Sequence, residues 1–222
     1  GNSENFAARG KGYAEMEEYE LARSNFDEAI RLNPASSDAY KLRGFLSAQT
    51  GNHSMAFSDL DRALEIFPLN HDAYFKRAIA YVGVGKSDLA RADLDRSIKI
   101  MPTNPEYLYD RGLLSYAAQD YDAAIDDFNG AVRLQGRFFY VDPKHVRPFF
   151  DRGRAYLKLG NFDQVIGDSK TVIKLLKRHF YQPEWFNDKQ SIDLQLADGY
   201  ELLGDGYTES GNPTKATTAY LI

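Results

Sequence analysis

Residues Tyr40–Pro68, YKLRGFLSAQTGNHSMAFSDLDRALEIFP, decide the fold. They read as two short amphipathic helices joined at Gly51-Asn52 and closed by Pro68. The same pattern lies 34 residues upstream and again 34 and 68 residues downstream. A fixed period of this length marks a stacked array of one supersecondary unit. Two slots measure it. The small residues Gly10, Gly44, Ala78, Gly112, Gly153 and Gly204 step by 34, 34, 34, 41 and 51. In the second helices Ala22, Ala56, Ala90, Ala124, Val165 and Ala216 step by the same intervals. Two slots that shift together predict six helix hairpins with two insertions.

Each slot has a physical task. Small residues at Gly44 and Ala56 let two antiparallel helices approach near the short end of the usual 8–10 Å spacing, about 8 Å. Ala29, Ala63, Ser97 and Ala131 leave room for the next hairpin, while Phe26, Leu60, Leu94 and Phe128 share one large slot and Ile30, Leu64, Ile98 and Val132 another. Gly51, Gly85 and Gly160 stand in the turns, where a helix end favours a left-handed residue. Pro34, Pro68 and Pro102 end the second helices, because proline disfavours helix in the residue before it. The predicted repeats run over residues 3–36, 37–70, 71–104, 105–136, 146–178 and 197–222 of one array covering 1–222, with insertions at 136–148 and 177–188.

In the first repeat, a large residue, glycine, tyrosine, small, aromatic, small and proline residues appear as Phe6, Gly10, Tyr13, Ala22, Phe26, Ala29 and Pro34. This pattern resembles the tetratricopeptide repeat (TPR) family over nearly the whole chain. It departs at Gly136, which replaces the proline of the fourth repeat, and at Val165, Ser169 and Val172 in the fifth; the sixth stops after Tyr220. The resemblance implies an all-α, right-handed superhelical solenoid of about six antiparallel helix hairpins. It also implies that the first helices line a concave groove for a peptide or protein segment. One subgroup of the family grips a C-terminal carboxylate with Lys and Asn; the matching positions Ala7, Lys11, Leu42, Asp72 and Lys76 keep only part of that pattern, so that function is not carried over.

Composition narrows the function classes. The chain is 43% hydrophobic and 27% charged, with no run near the roughly 18 apolar residues that span a membrane. A net charge of −5 disfavours general binding to nucleic acid or anionic membranes. Cys is absent, which excludes disulfides and thiolate chemistry and fits either a reducing or an oxidising compartment, the cytoplasm being preferred. Gly1-Asn2-Ser3 carries no apolar signal core, and Ile222 falls within a helix of the repeat register, so a piece of a longer protein is expected.

No set of residues points to catalysis, a metal or a cofactor. Gly83-Val84-Gly85-Lys86-Ser87 looks like the end of a phosphate loop, but Ala80 stands where that loop needs glycine and no strand precedes it. Asp120, Asp122, Asp126 and Asp127 lack the loop glycine and final glutamate of a calcium hand. His53, His71, His145 and His179 are isolated, and Asn52-His53-Ser54 matches a glycosylation acceptor that matters only in a secreted chain. The basic stretch Lys170, Lys174, Lys177, Arg178 and His179 suits a helix C-terminus, or an acidic partner segment.

A second ladder runs through the repeats. Arg9, Arg43, Arg77, Arg111 and Arg152 each precede the small slot, and Asn25, Asp59, Asp93, Asp127 and Asp168 follow them by 16 residues. Pairing between packed helices is expected. The insertions are aromatic, with Phe138, Phe139, Tyr140, Phe180, Tyr181, Trp185 and Phe186, and Pro143, Pro148 and Pro183 oppose continuous helix there. They read either as a local cap or as part of a partner site.

The groove face maps to Lys41 and Phe45 in the second repeat, Phe75, Lys76 and Ile79 in the third, Tyr109, Leu113 and Tyr116 in the fourth, and Phe150 and Arg154 in the fifth. Apolar rows with sparse charge suit an extended or helical peptide with aliphatic or aromatic anchors. The expected function is a non-catalytic protein-protein interaction scaffold. The alternative is a structural or self-associating module, a homo-oligomer included, of a larger protein or assembly.

Overall fold

The computed structural model of the protein describes residues 2–135, 146–180 and 189–221. Among them are the helices α1 (Asn2–Glu15), α2 (Tyr19–Leu32), α3 (Ser37–Gln49), α4 (His53–Ile66), α5 (His71–Gly83), α6 (Ser87–Ile100), α7 (Pro105–Ala117), α8 (Tyr121–Gln135), α9 (Arg147–Lys158), α10 (Phe162–Phe180), α11 (Lys189–Glu209) and α12 (Pro213–Tyr220). Each odd-numbered helix packs on the even-numbered one that follows it. The chain forms two compact units, Gly1–Pro102 and Thr103–Ile222, with three hairpins in each.

The local boundaries follow from the turn and cap residues. Gly51, Gly85, Gly160 and Gly211 have φ between 72° and 80°, the left-handed conformation that glycine adopts without a Cβ clash. The amide of Asn52 then reaches back to the Ser47 carbonyl at 2.8 Å and that of Gly51 to Ala48 at 3.2 Å, which satisfies the last carbonyls of α3. Glu17 and Gln119 hold the same place in the first and fourth hairpins, at φ 61° and 63°. The side-chain oxygens of Ser36, Asn52 and Asn70 accept from amides in the first turns of α3, α4 and α5. The second helices α2, α4 and α6 stop at Leu32, Ile66 and Ile100, two residues before each proline.

Packing in the hairpins uses the slots read from the period. A Cβ built on Gly44 would stand 2.9 Å from Leu60 Cγ and 3.1 Å from the Ala56 carbonyl oxygen, and one on Gly112 would stand 2.7 Å from the Phe128 ring. Ala22, Ala29, Ala56, Ala63, Ala90, Ala124 and Ala131 are fully buried. Within the first unit Ala29 packs with Ala39, and Ala63 with Ala73, across successive hairpins. A polar tie repeats as well. Ser3 and Ser37 donate to the carbonyls of Ala29 and Ala63 at 2.8 and 2.9 Å. In the third hairpin the hydroxyl has moved to the opposite helix, and Ser97 donates to His71 at 2.9 Å.

The fifth and sixth hairpins depart from the sequence reading. Here α10 continues through Phe180, so residues 177–180 of the second insertion are helical. Pro148 lies in the first turn of α9, where a missing amide costs nothing, and the helix therefore starts inside the stretch assigned to the first insertion. The α11 helix begins at Lys189, eight residues before the expected repeat boundary. Its Leu202 occupies the space beside Gly153, 2.9 Å from an added Cβ, where the regular hairpins use the large residue 16 positions on. Residue Ser169 at that place is too small to fill it. Phe138, Phe139, Tyr140, Pro143, Tyr181, Pro183, Trp185, Phe186 and the side chain of Phe180 lie outside the described residues, and with them the reading of the insertions as a cap or partner site.

Candidate functional site

In the first unit α3 packs on both α1 and α5, so the three first helices share one side. A cleft of about 220 Å³ opens there, lined by Lys11 and Glu15 from α1, Leu42, Phe45, Leu46 and Gln49 from α3, Lys76 from α5, and Phe26 behind them. Phe45 is half-buried, and the Lys76 ammonium sits 3.9 Å from its ring centroid. Lys41 is turned inward. Its side chain is 13% exposed and bonds Asp38 at 2.8 Å and Asp72 at 3.0 Å. Burial works against its charge, but the two carboxylates outweigh it and hold the ammonium above the usual lysine range. Ile79 is half-buried.

In the second unit α9 packs on both α7 and α11. The corresponding cleft, about 450 Å³, is lined by Tyr109, Leu113, Arg147, Phe150, Asp151, Arg154, Gln195 and Asp198. Tyr109 donates to Asp151 at 2.7 Å, and Arg154 donates to the other oxygen of that carboxylate at 3.1 Å. Burial, reinforced by Asp151, raises the Tyr109 phenol well above its ordinary range. Burial also pushes the Asp110 carboxyl up to about 6, with Glu106 adding to it. Leu113 is exposed, whereas Tyr116 packs edge-on against Tyr121 at 5.3 Å.

Two residues of the expected groove face are largely buried, although Phe150 still lines the second cleft. Phe75 is 5% and Phe150 7% exposed. Both stand three residues before the small slot, as do Ala7 at 8% and the enclosed Lys41. For Phe150 the reason is explicit: it belongs to the core formed with Val146, Val165, Val172, Leu176, Ile192 and Leu202. Of the expected groove residues the clefts take in Phe45, Lys76, Tyr109, Leu113, Phe150 and Arg154, together with Leu46, Gln49, Gln195 and Asp198, which the groove mapping omitted. Leu46 is legible as the partner of Leu42 at helical spacing, and Asp198 stands six residues before Gly204 as Glu4 does before Gly10. Gln195 precedes the sixth repeat as read from the period and becomes visible only with the long α11.

The arginine ladder forms as expected. Nε of Arg9, Arg43, Arg77, Arg111 and Arg152 donates to Asn25, Asp59, Asp93, Asp127 and Asp168 at 2.6–2.9 Å. Burial raises the Asp168 carboxyl, and Arg152 offsets this only in part. In the basic stretch Lys170 and Lys177 lie over the rings of Tyr207 and Tyr200, at 5.6 and 5.3 Å. Among the described residues no group of three or more acidic or histidine side chains is placed to hold a metal, and no helix is long and apolar enough to cross a membrane.

The tetratricopeptide repeat profile matches residues 7–71 and 75–137. No curated protein matches the sequence. Among solved structures, MamA is 19% identical, with 83% of this chain aligned to 88% of that one and a TM-score of 0.66. A chain of the APC/C hetero-tetramer Cut9-Hcn1 is 19% identical, with 99% of this chain aligned to 42% of that one and a TM-score of 0.69. A tetratricopeptide repeat protein from Parabacteroides merdae is 19% identical, with coverages of 98% and 77% and a TM-score of 0.67. At these identities the likeness is one of fold. The profile covers more than half of the chain, and on that basis this protein belongs to the tetratricopeptide repeat family.

Proposed function

We propose that this chain is a non-catalytic scaffold that binds a peptide or protein segment along its first helices. Tetratricopeptide repeat chains are in general protein-interaction scaffolds, typically without catalysis of their own. The observation that carries the more specific reading is that each compact unit has a cleft walled by all three of its first helices. The cleft of the first unit is floored by Phe26, Leu42, Phe45 and Leu46 and suits one apolar anchor. That of the second unit carries Arg147, Arg154 and Asp198 beside Leu113 and suits a polar stretch.

Affinity capture with the full chain tests this. Phe45→Ala combined with Arg154→Glu changes one wall of each cleft and leaves the buried Phe75 and Phe150 intact. A tenfold or greater loss of the captured partner, with the melting temperature held, is the expected result. Unchanged recovery by the folded double variant overturns the reading.

A further inference from the structure

The arginine ladder ends in an exchange of charge. Arg43, Arg77 and Arg152 each give Nη1 to an oxygen on the preceding second helix, that of Asp27 at 2.6 Å, Asp61 at 2.6 Å and Asn129 at 2.7 Å. The same register puts Leu203 at the next arginine position and Lys170 at the next acceptor position. Leu203 is buried with Ile173 and Ala219, so no cation enters there and no acid is needed to meet one. The helix that Lys170 faces is in place and turns a ring to it: the ammonium lies 5.6 Å from the ring centroid of Tyr207 on α11. Lys215 on α12 lies at the same 5.6 Å from that ring, and Lys177 lies 5.3 Å from Tyr200. Lys174 shares the face of Lys170 and Lys177 at helical spacing. All four lysines are exposed, and among the described residues none has a carboxylate partner.

The neighbouring groups leave this strip positive. The α12 helix carries no acid. On α10 and α11 the acids of the same faces, Asp163 and Asp193, stand seven residues from Lys170 and from Tyr200, at opposite ends of the strip. Four positive charges thus gather on α10 and α12 around two α11 rings, in a chain whose net charge is −5. We propose that this face docks an acidic segment of a partner protein, with two or three Asp or Glu side chains spread over about 10 Å to match Lys170, Lys174 and Lys177. Contact with the tyrosine rings holds three of the ammonium groups in place, which lowers the cost of ordering them on binding. The same contact covers ring surface on which a nucleobase would stack, and Asp163 and Asp193 limit the strip to a length that suits a short segment rather than a duplex or a bilayer. Gln195 and Asp198 reach the second cleft from the other side of α11, so binding at the lysines does not depend on the first-helix clefts.

The probe is a fluorescein-labelled peptide of about eight glutamates, titrated into the full chain by fluorescence anisotropy at low salt. Saturable binding is expected, weakened at least about tenfold by Lys170→Gln, Lys174→Gln and Lys215→Gln together and kept when the same three lysines become arginine. The control Lys86→Gln, Lys99→Gln, Arg133→Gln removes the same charge from other helices and should leave the affinity within about twofold. Equal weakening by that control leaves only a general attraction to the chain and overturns the proposal. Absence of saturable binding overturns it, as does unchanged binding by the three lysine-to-glutamine changes. Tighter binding of a single-stranded oligonucleotide of the same charge identifies a nucleic-acid surface and overturns it too. Loss of binding in the Phe45→Ala, Arg154→Glu variant places the peptide in a cleft and likewise rejects docking on α10.

Discussion

Arg77 and Asp93 share two hydrogen bonds across the α5–α6 hairpin, Nε to Oδ2 at 2.7 Å and Nη2 to Oδ1 at 2.8 Å. The same guanidinium gives Nη1 to Asp61 on α4 at 2.6 Å, so one side chain ties three helices. Arg43 does the same with Asp59 and Asp27. The inner carboxylate is almost completely enclosed, 2% exposed at Asp93, and the outer one is about half exposed, 53% at Asp61.

That asymmetry sets the first prediction. Asp93→Ala strands a largely buried guanidinium and should destabilise by about 3 kcal/mol, whereas Asp61→Ala should cost less than about 1 kcal/mol. The double change Arg77→Met, Asp93→Leu removes both charges and should recover most of the loss. Urea unfolding midpoints of the four proteins check this.

The glycines divide by what surrounds them. Gly44→Ala should destabilise by about 1–3 kcal/mol, since its Cβ would press on Leu60 and the Ala56 backbone. Gly12→Ala should stabilise by about 0.5–1 kcal/mol, because an added Cβ meets nothing within 4 Å and the helix interior favours alanine. Thermal melts of the two variants should move in opposite directions.

Glu17 and Gln119 occupy turn positions at φ 61° and 63°, which the other four hairpins give to glycine. Glu17→Gly and Gln119→Gly should each raise stability by about 0.5–1 kcal/mol through relief of the left-handed strain. Gly85→Ala should lower it by a similar amount. Melting temperatures measured side by side decide the sign.

Asp110 makes stability depend on pH. Its folded pKa of about 6 lies above the unfolded carboxyl value near about 4, so between these values the folded chain binds the extra proton. Its contribution to stability is therefore complete below about pH 4 and is lost as pH rises through about 6. Asp110→Asn should remove this loss and raise stability at pH 7 by about 1–2 kcal/mol relative to the parent. Unfolding midpoints of both proteins from pH 4.5 to 7.5 should diverge as the pH increases; parallel curves would refute the assignment.

Much of the fold is legible because a repeat writes each packing rule several times. Gly10, Gly44, Ala78 and Gly112 at one interval disclose a close helix approach, and the 16-residue offset from Arg43 to Asp59 discloses the ladder. Partial exposure is harder to read. Lys41, Phe75 and Phe150 share a position that looks like groove face on a single helix, yet the neighbouring first helix encloses Phe150 through Ile192 and Leu202.

By itself the sequence determined that the chain is a run of helix hairpins and which small residues and arginine pairs recur within them, because periodicity records what each residue does within its own unit. Tertiary structure decided what the hairpins do to one another. It set the burial of Phe75 and Phe150, the substitution of Leu202 for a missing large residue beside Gly153, and the two first-helix clefts. These depend on which side chain an adjacent hairpin brings within about 4 Å, a distance that spacing along one chain does not encode once the register is broken by insertions.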